Sequence, residues 1–256
     1  MKITVRMFGL NFLRTTLKEF VILMVEKAQE RERCIVVTPN VDFIVKHRKD
    51  HEFYSICADA DYIVADGAPL VLLSKIVGKE SLPERVTGAD LLPLVTTEAV
   101  KMRLRVAFIG GNKGVAEQAA KKLIITVAER NLIFSYCPPA GFEYSDYESE
   151  KIVNFINEVR PHVVFLGVGA PKQEKWINCY LNRLDCGPVL CTGAAFDFLA
   201  GAVRRSPIFL RRLGLEWLWR LAKEPRRLLA RYVRDGVFWF PMAISEILKQ
   251  LSQEQK

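Results

Sequence analysis

Carboxylate, amide and hydroxyl side chains lie at the ends of apolar runs that are typical of buried strands. Asp66 directly follows the run 62–65, and Thr38 and Asn40 lie at the end of the run 34–38. A carboxylate at a strand end, followed by a glycine that permits a sharp turn, can present a general base to a cleft. A plain turn or a helix cap uses the same residue types. The spacing alone leaves both interpretations open.

Glycines follow three other apolar runs. Gly110 ends the run 105–110, Gly169 follows the run 163–167, and Gly193 follows the run 188–191. A glycine turn between a strand and a helix lets backbone amides bind phosphate at the helix N-terminus. The spacing is neither a Walker A loop nor G-x-G-x-x-G, so each loop alone is a weak signal. Together the three loops favour a nucleotide-like ligand that carries phosphate.

The elements that must position these residues alternate along the chain. The predicted strands are 34–38, 62–65, 105–110, 132–136, 163–167 and 188–191, and the predicted helices are 15–29, 42–49, 69–77, 89–101, 113–130, 147–159 and 171–184. Short buried strands alternating with helices predict an α/β fold with a largely parallel sheet and helices on both faces. Ligands of such sheets bind at the carboxyl ends of the strands, where the residues above are expected to meet.

Length and composition exclude several classes of protein. A chain of 256 residues can bury a large core without disulfides or metal, and its glycine and proline counts are ordinary. The six cysteines form no C-x-x-C pair, which indicates reduced, mostly buried thiols. The three histidines have no metal-ligand spacing and are expected at the surface or at caps. We see no secretory signal and no run of about 18 to 20 apolar residues, so we expect a cytoplasmic protein.

The positive charge is concentrated near the C-terminus. Between Arg204 and Arg234 there are ten basic residues and two acids, which accounts for the whole net charge of +8. Three of the four tryptophans also lie beyond residue 204. Cations mixed with aromatic residues favour an anionic membrane surface or lipid phosphate. Plain packing on the core is the alternative, and nucleic acid is disfavoured because the segment is too apolar.

Two alternative chemistries are weaker. Asp59 and Asp61 resemble a D-x-D metal motif, but they precede a predicted strand and are expected at the amino edge of the sheet, away from the site. A nicotinamide oxidoreductase needs an acid about 20 residues after its glycine loop, at a strand end. Glu129 has that distance from the loop but lies within the predicted helix 113–130. A non-catalytic nucleotide-binding module that docks on membranes remains open.

The motifs together resemble the WecG/TagA/CpsF glycosyltransferases. The resemblance covers roughly residues 34 to 234, and its motifs keep their order and spacing: they lie at 38–40, 65–67, 84–91, 167–175, 193–197, 215–221 and 224–227. It implies a Rossmann-like catalytic core, here residues 1–203, with a basic helical appendage at 204–256.

The resemblance also implies an activity. Enzymes of this kind transfer a hexose with inversion from a UDP-sugar donor to a sugar linked through diphosphate to a polyprenyl lipid, without a metal or other cofactor. The N-acetylmannosamine type of hexose is favoured, while its uronic acid and glucose are also possible. Such enzymes build teichoic acid or other surface polysaccharides at the cytoplasmic membrane face. The oligomeric state, including a homo-oligomer, stays open.

The resemblance assigns roles to seven residues of the chain. Asp66 matches the catalytic base, and Arg85 matches the arginine that offsets charge on the leaving UDP. It matches substrate-binding positions to Thr38, Asn40, Gln173, Arg220 and Arg227. The glycine loops described above add Gly110 and Gly169 as substrate-binding positions. The family often has another arginine three positions after the one matching Arg227. Here that position is Ala230, and Arg231 follows.

Overall fold

A six-stranded parallel sheet forms the centre of the computed structural model, which describes residues 2–77, 80–124 and 126–254. In chain order the strands are β1 (Thr4–Met7), β2 (Leu10–Leu13), β3 (Ile35–Val37), β4 (Tyr62–Ile63), β5 (Val106–Gly110), β6 (Ile133–Tyr136), β7 (Val163–Gly167) and β8 (Val189–Cys191). The order across the sheet is β4-β3-β8-β7-β5-β6, and each neighbouring pair is parallel. All six predicted strands are confirmed.

Helices cover both faces of the sheet. They are α1 (Leu17–Gln29), α2 (Val41–His47), α3 (His51–Ala58), α4 (Ala68–Val77), α5 (Gly88–Lys101), α6 (Val115–Leu123), α7 (Asp146–Val159), α8 (Lys172–Tyr180), α9 (Ala195–Ala200), α10 (Ile208–Arg212), α11 (Glu216–Lys223) and α12 (Pro225–Glu254). Alternate residues of β5 supply two separate cores: Val106 and Phe108 face one layer, and Ala107 and Ile109 face the other. The predicted α/β class, with a largely parallel sheet between helices, is therefore confirmed.

The predicted helix 113–130 is wrong beyond residue 123. α6 begins after Gly114, which has the left-handed φ of +81°, and ends at Leu123. A short 3-10 helix, Val127–Asn131, follows. The residues between them include a run of β-branched side chains, which lose rotamer freedom in a helix. Ile125, within the predicted helix, lies outside the described residues.

The amino-terminal hairpin and α3 were not predicted. β1 and β2 pair antiparallel around a turn at Phe8 and Gly9, both with positive φ. A side chain at residue 9 is excluded because a Cβ there would lie 2.1 Å from the Tyr54 hydroxyl.

The prediction that the histidines lie at the surface or at caps is wrong for His47, which is 6% exposed and whose pKa burial lowers to about 4. Of the cysteines, four are buried, and all six are free thiols.

The long C-terminal helix α12 packs against α2 and α4, two helices that cover the sheet. Leu228 of α12 is fully buried, and Trp239 lies 5.4 Å from the Phe8 ring, centroid to centroid. The Phe8 N–H donates to Glu246 Oε1 over 3.0 Å. Among the described helices, none combines the length and the apolar character needed to cross a membrane. The division of the chain at residues 203 and 204 stays a prediction.

Candidate active site

Asp66 lies at the carboxyl edge of the sheet, where the chain leaves β4. Its N–H donates to the Pro39 carbonyl over 2.8 Å, and the Val86 N–H donates to the Ala65 carbonyl over 2.9 Å. The chain beyond β4 therefore stays extended between the segment after β3 and the segment before α5. These backbone bonds place Asp66 between two of the motifs noted in the sequence, 38–40 and 84–91.

The electrostatic surroundings of Asp66 suit a general base. Burial, and after it the charge of Glu216, raise the pKa of its carboxyl, Arg85 opposes them, and the resulting pKa is about 7. Asp90 and Arg220 add smaller opposite effects on the same pKa. A carboxyl with a pKa near neutral is ionised enough to accept a proton and basic enough to hold it. The site therefore offers a proton acceptor beside two arginines.

The Arg85 side chain is held by an ion pair with a residue that is distant in the sequence. Its Nη1 donates to Glu216 Oε2 over 2.9 Å, and the two side chains are 20% and 17% exposed. Arg205 Nε lies 3.5 Å from the other Glu216 oxygen, and Arg205 Nη1 lies 2.8 Å from Asp90 Oδ1. Arg211 Nη1 lies 3.8 Å from the same Asp90 oxygen. We call these five residues the Glu216 cluster.

Thr38 and Asn40 are both engaged in local structure. Thr38 is 8% exposed, and its hydroxyl donates to the Cys191 carbonyl over 3.1 Å, which joins the ends of β3 and β8. Asn40 caps α2: its Oδ1 accepts from the Phe43 N–H over 3.1 Å. Asn40 is nevertheless exposed. Capping and ligand binding are compatible for this residue.

Gln173 joins two of the glycine loops. Its Oε1 accepts from the N–H groups of Gly169 and Gly193 over 3.1 and 3.2 Å. Its Nε2 donates to Glu174 Oε1 over 2.7 Å, and Gln173 itself is 3% exposed. Glu174 is fully buried, which raises its pKa to about 7. The buried side chain of Gln173 therefore holds the loops after β7 and β8 together through these hydrogen bonds.

The glycines at the strand ends have two different physical reasons. Gly110 has a φ of +116°, and a Cβ there would lie 2.7 Å from Val168 Cγ1, so close packing of two loops requires it. Gly169 has a φ of +86° but would meet no atom within 4 Å. Open space lies beside Gly169 and its neighbour loop at Gly193, which also has positive φ. These two loops are accessible to a ligand.

The predicted arginines of the C-terminal helices lie near α9, the short helix that follows β8. The Arg220 guanidinium lies 5.2 Å from the Phe198 ring centroid. Arg227 Nη2 lies 2.5 Å from Glu224 Oε2. Burial raises the pKa of Asp197, which the charges of Arg227 and Arg220 oppose. Both arginines are thus near the carboxyl edge of the sheet.

Arg231, which follows the position where the family often has arginine, lies over the ring of Tyr232, with its guanidinium 5.3 Å from the ring centroid. Its Nε is buried without a hydrogen-bond partner in the described structure. Neither of these contacts brings it to Arg220 or Arg227.

Sequence analysis assigned no role to Glu216, Asp90 or Arg205. The first two lie inside motifs that the sequence did single out, 215–221 and 84–91. Arg205 was one of many cations in the basic segment. Their partnership could not be seen from spacing, because Arg85 and Glu216 are 131 residues apart.

Asp61 has a structural role that explains the D-x-D pattern. Its Oδ2 accepts from the Ile35 N–H over 2.8 Å, at the amino end of β3. The predicted position at the amino edge is confirmed. Within the described ranges, no group of three or more histidine, cysteine or acidic side chains is arranged to hold a metal ion.

Comparison with known proteins connects this geometry to a family. Residues 5–253 match the glycosyl transferase WecG/TagA/CpsF family. An N-acetylglucosaminyldiphosphoundecaprenol N-acetyl-beta-D-mannosaminyltransferase of Staphylococcus aureus strain MW2 is 30% identical over 242 residues. That match covers 93% of this chain and 92% of the relative. Proteins with the same description from strains NCTC 8325 and COL match with the same identity and coverage.

Proposed function

Because the chain belongs to the WecG/TagA/CpsF family of glycosyltransferases, we propose that it transfers N-acetylmannosamine from a UDP-sugar to a polyprenyl-diphosphate-linked sugar. The acceptor is assigned by analogy with the relatives, whose description gives N-acetylglucosaminyldiphosphoundecaprenol. The UDP part of the donor is supported by the glycine loops at the carboxyl edge of the sheet. The product belongs to teichoic acid or another surface polysaccharide.

The observation that carries the proposal is the position of Asp66. Its carboxylate takes the proton from the acceptor hydroxyl while that oxygen attacks the anomeric carbon of the donor. The bond from this carbon to the diphosphate oxygen breaks, and UDP leaves with the electron pair. A single displacement of this kind inverts the anomeric configuration. The pKa of about 7 suits Asp66 to this step.

The leaving diphosphate needs positive charge, and we propose that arginines of the chain supply it. Arg85 lies close enough to Asp66 to affect its pKa, and so does Arg220. Arg227 lies close enough to Asp197, in the helix α9 that follows β8, to lower the pKa of that carboxyl. Preorganised donors of this kind stabilise developing charge in a transition state, and we propose that they do so here without a metal ion.

A lipid-linked acceptor also gives the C-terminal helices a purpose. We propose that they hold the protein on the inner face of the cell membrane, as a peripheral protein. Cations near an anionic surface contribute on the order of 1 kcal/mol each. α12 adds apolar side chains that are at least half exposed: Leu229, Val233, Val237, Phe240, Ile244, Leu248 and Leu251. Their spacing of three or four residues places them along one side of the helix.

A donor screen tests the proposal. The full chain is incubated with UDP-N-acetylmannosamine, its uronic acid or UDP-glucose, and with a short-chain lipid-diphosphate-linked N-acetylglucosamine acceptor. We expect UDP release that requires both substrates, with N-acetylmannosamine preferred. UDP release that is independent of acceptor, or no release with any of the donors, contradicts the proposed reaction. Transfer of another hexose contradicts only the donor assignment.

A further inference from the structure

Glu216 is an acid of the C-terminal helices that reaches the residues around Asp66. It is the first residue of α11, and its side chain is 17% exposed. One carboxylate oxygen accepts from Arg85 Nη1 over 2.9 Å, and the other lies 3.5 Å from Arg205 Nε. The two oxygens of this partly buried carboxylate therefore face arginines from two separate parts of the chain.

The other members of the Glu216 cluster connect Glu216 to Asp90 of the core. Arg205 lies 2.8 Å from Asp90, and the Thr87 hydroxyl donates to the second Asp90 oxygen over 2.7 Å. Burial alone raises the pKa of Asp90, but the bonded Arg205 and Thr87 keep it below its ordinary value. Asp90 is therefore an ionised partner for Arg205. Ion pairs thus link the core segment 85–90 to α11 and to the loop before α10.

Given the proposed glycosyl transfer, we infer that Glu216 is a positioning residue for that reaction. It orients Arg85 toward the leaving diphosphate and fixes α11 over the carboxyl edge of the sheet, although it touches neither substrate. This inference rests on the proposed function for the identity of the diphosphate only. The geometry that connects Arg85, Glu216 and α11 does not depend on it.

The position of Glu216 in the helix extends its effect to Arg220. Residues four apart lie on the same side of a helix, one turn from each other, and Arg220 is four residues after Glu216. Fixing the first turn of α11 therefore fixes the turn that carries Arg220. Arg85 meets Glu216 through Nη1, and a guanidinium has five N–H donors, so its other donors can still bind phosphate oxygens.

The charge of Glu216 also acts on Asp66. The charged groups that affect Asp66 are Glu216 and Asp90, which raise its pKa, and Arg85 and Arg220, which lower it. Replacing Glu216 with glutamine removes one of the two negative charges that, together with burial, oppose ionisation of Asp66. The pKa of Asp66 should then fall, and the acid limb of the pH–rate profile should move to lower pH. A role in stability alone would not move this limb.

Two variants of the full chain distinguish the effect of the charge at residue 216 from the effect of the length of its side chain. Glu216→Gln keeps the shape but loses the charge, and we expect kcat on the plateau to fall by about 10-fold or more as Arg85 loses its orientation. We also expect the acid midpoint to fall below that of the parent. Glu216→Asp keeps the charge but is shorter, so we expect a smaller loss of kcat and a midpoint equal to the parent's. The matched control is Glu150→Gln, which removes an exposed two-bond pair with Arg183 and should change neither quantity.

A direct titration makes the result independent of the reaction. The Asp66 carboxyl is followed by infrared difference spectroscopy against Asp66→Asn, in the parent and in Glu216→Gln, without substrate. A lower midpoint in Glu216→Gln supports the inference even if no UDP-sugar is turned over, in which case only the proposed function fails. An unchanged Asp66 midpoint in Glu216→Gln overturns the inference. So does a loss of kcat that is fully explained by the fraction of Glu216→Gln that is unfolded. If Glu216→Gln does not fold, Glu216→Asp decides: a parent-like kcat in that variant also overturns it.

Discussion

Replacing Gln173 with methionine tests whether this residue shapes the two accessible loops. Methionine has a similar length but makes none of the three hydrogen bonds of Gln173, which join Gly169, Gly193 and Glu174. Each buried polar group left without a partner costs about 1–3 kcal/mol. The two hydrogen bonds from the glycine amides are only partly buried, so water can replace part of what is lost. We therefore take the low end for each and expect a loss of about 3 kcal/mol in the free energy of unfolding.

A chain of this size loses about 2–4 °C in Tm for each kcal/mol, so the expected fall is about 6–12 °C. Donor kcat/KM should fall by about 10-fold or more, because small displacements of substrate-positioning groups are costly. Asn157→Leu is the matched control: the Asn157 amide also makes two loop bonds, to Arg183 and Asp185, but in exposed positions at the amino edge of the sheet. Thermal unfolding and donor kinetics of both variants are compared. Equal Tm values and equal donor kcat/KM in the two variants would refute the role of Gln173.

Three further predictions concern charge. Excess EDTA should leave the rate of UDP release unchanged, and loss of activity that Mg²⁺ or Mn²⁺ restores would contradict the metal-free proposal. Arg220→Ala and Arg227→Ala should lower kcat more than vesicle binding, because the remaining cations still hold the surface, while Arg183→Ala should change neither; the reverse order would remove both arginines from the site. Sedimentation with vesicles that contain anionic lipid should show binding that weakens as salt rises and that weakens further in Phe240→Ser. Binding that is indifferent to salt would contradict an electrostatic contribution.

The sequence predicts the sheet well because parallel strands buried on both faces are near-continuous apolar runs. β5 and β8 are of this kind, with every residue buried or nearly so. The hairpin β1–β2 is harder to predict because each strand has four residues and alternates buried with exposed positions. The end of α6 depends on the loss of helix preference over a few β-branched residues, which a reading of apolar spacing does not register.

In the candidate site, too, some features follow from local sequence patterns and others depend on tertiary contacts. The rule that ligands bind at the carboxyl ends of strands placed Asp66, Thr38 and Gly169 at one edge, and the structure brings these loops to that edge. The Glu216 cluster depends on pairing between distant segments, which no local pattern contains. Gln173 illustrates a third case: its position after β7 was expected, whereas its burial beneath two loops is a tertiary property.

The central claim is that Asp66 is the base of a glycosyl transfer. Its folded pKa of about 7 lies above the ordinary value of 3.8, so the ionised, active form appears only as the pH rises through about 7. At one pH unit below this midpoint, about one tenth of Asp66 is ionised, and the rate should be lower by the same factor.

The most direct test is the pH–rate profile of acceptor-dependent UDP release for the parent and for Asp66→Asn. We predict an acid limb near pH 7 in the parent. Asn cannot accept the proton, so kcat should fall by about 10²- to 10⁴-fold while the donor Kd, measured by calorimetry, stays close to the parent's. Near-normal turnover by Asp66→Asn, with the acid limb still present, would contradict the assignment of Asp66 as the base.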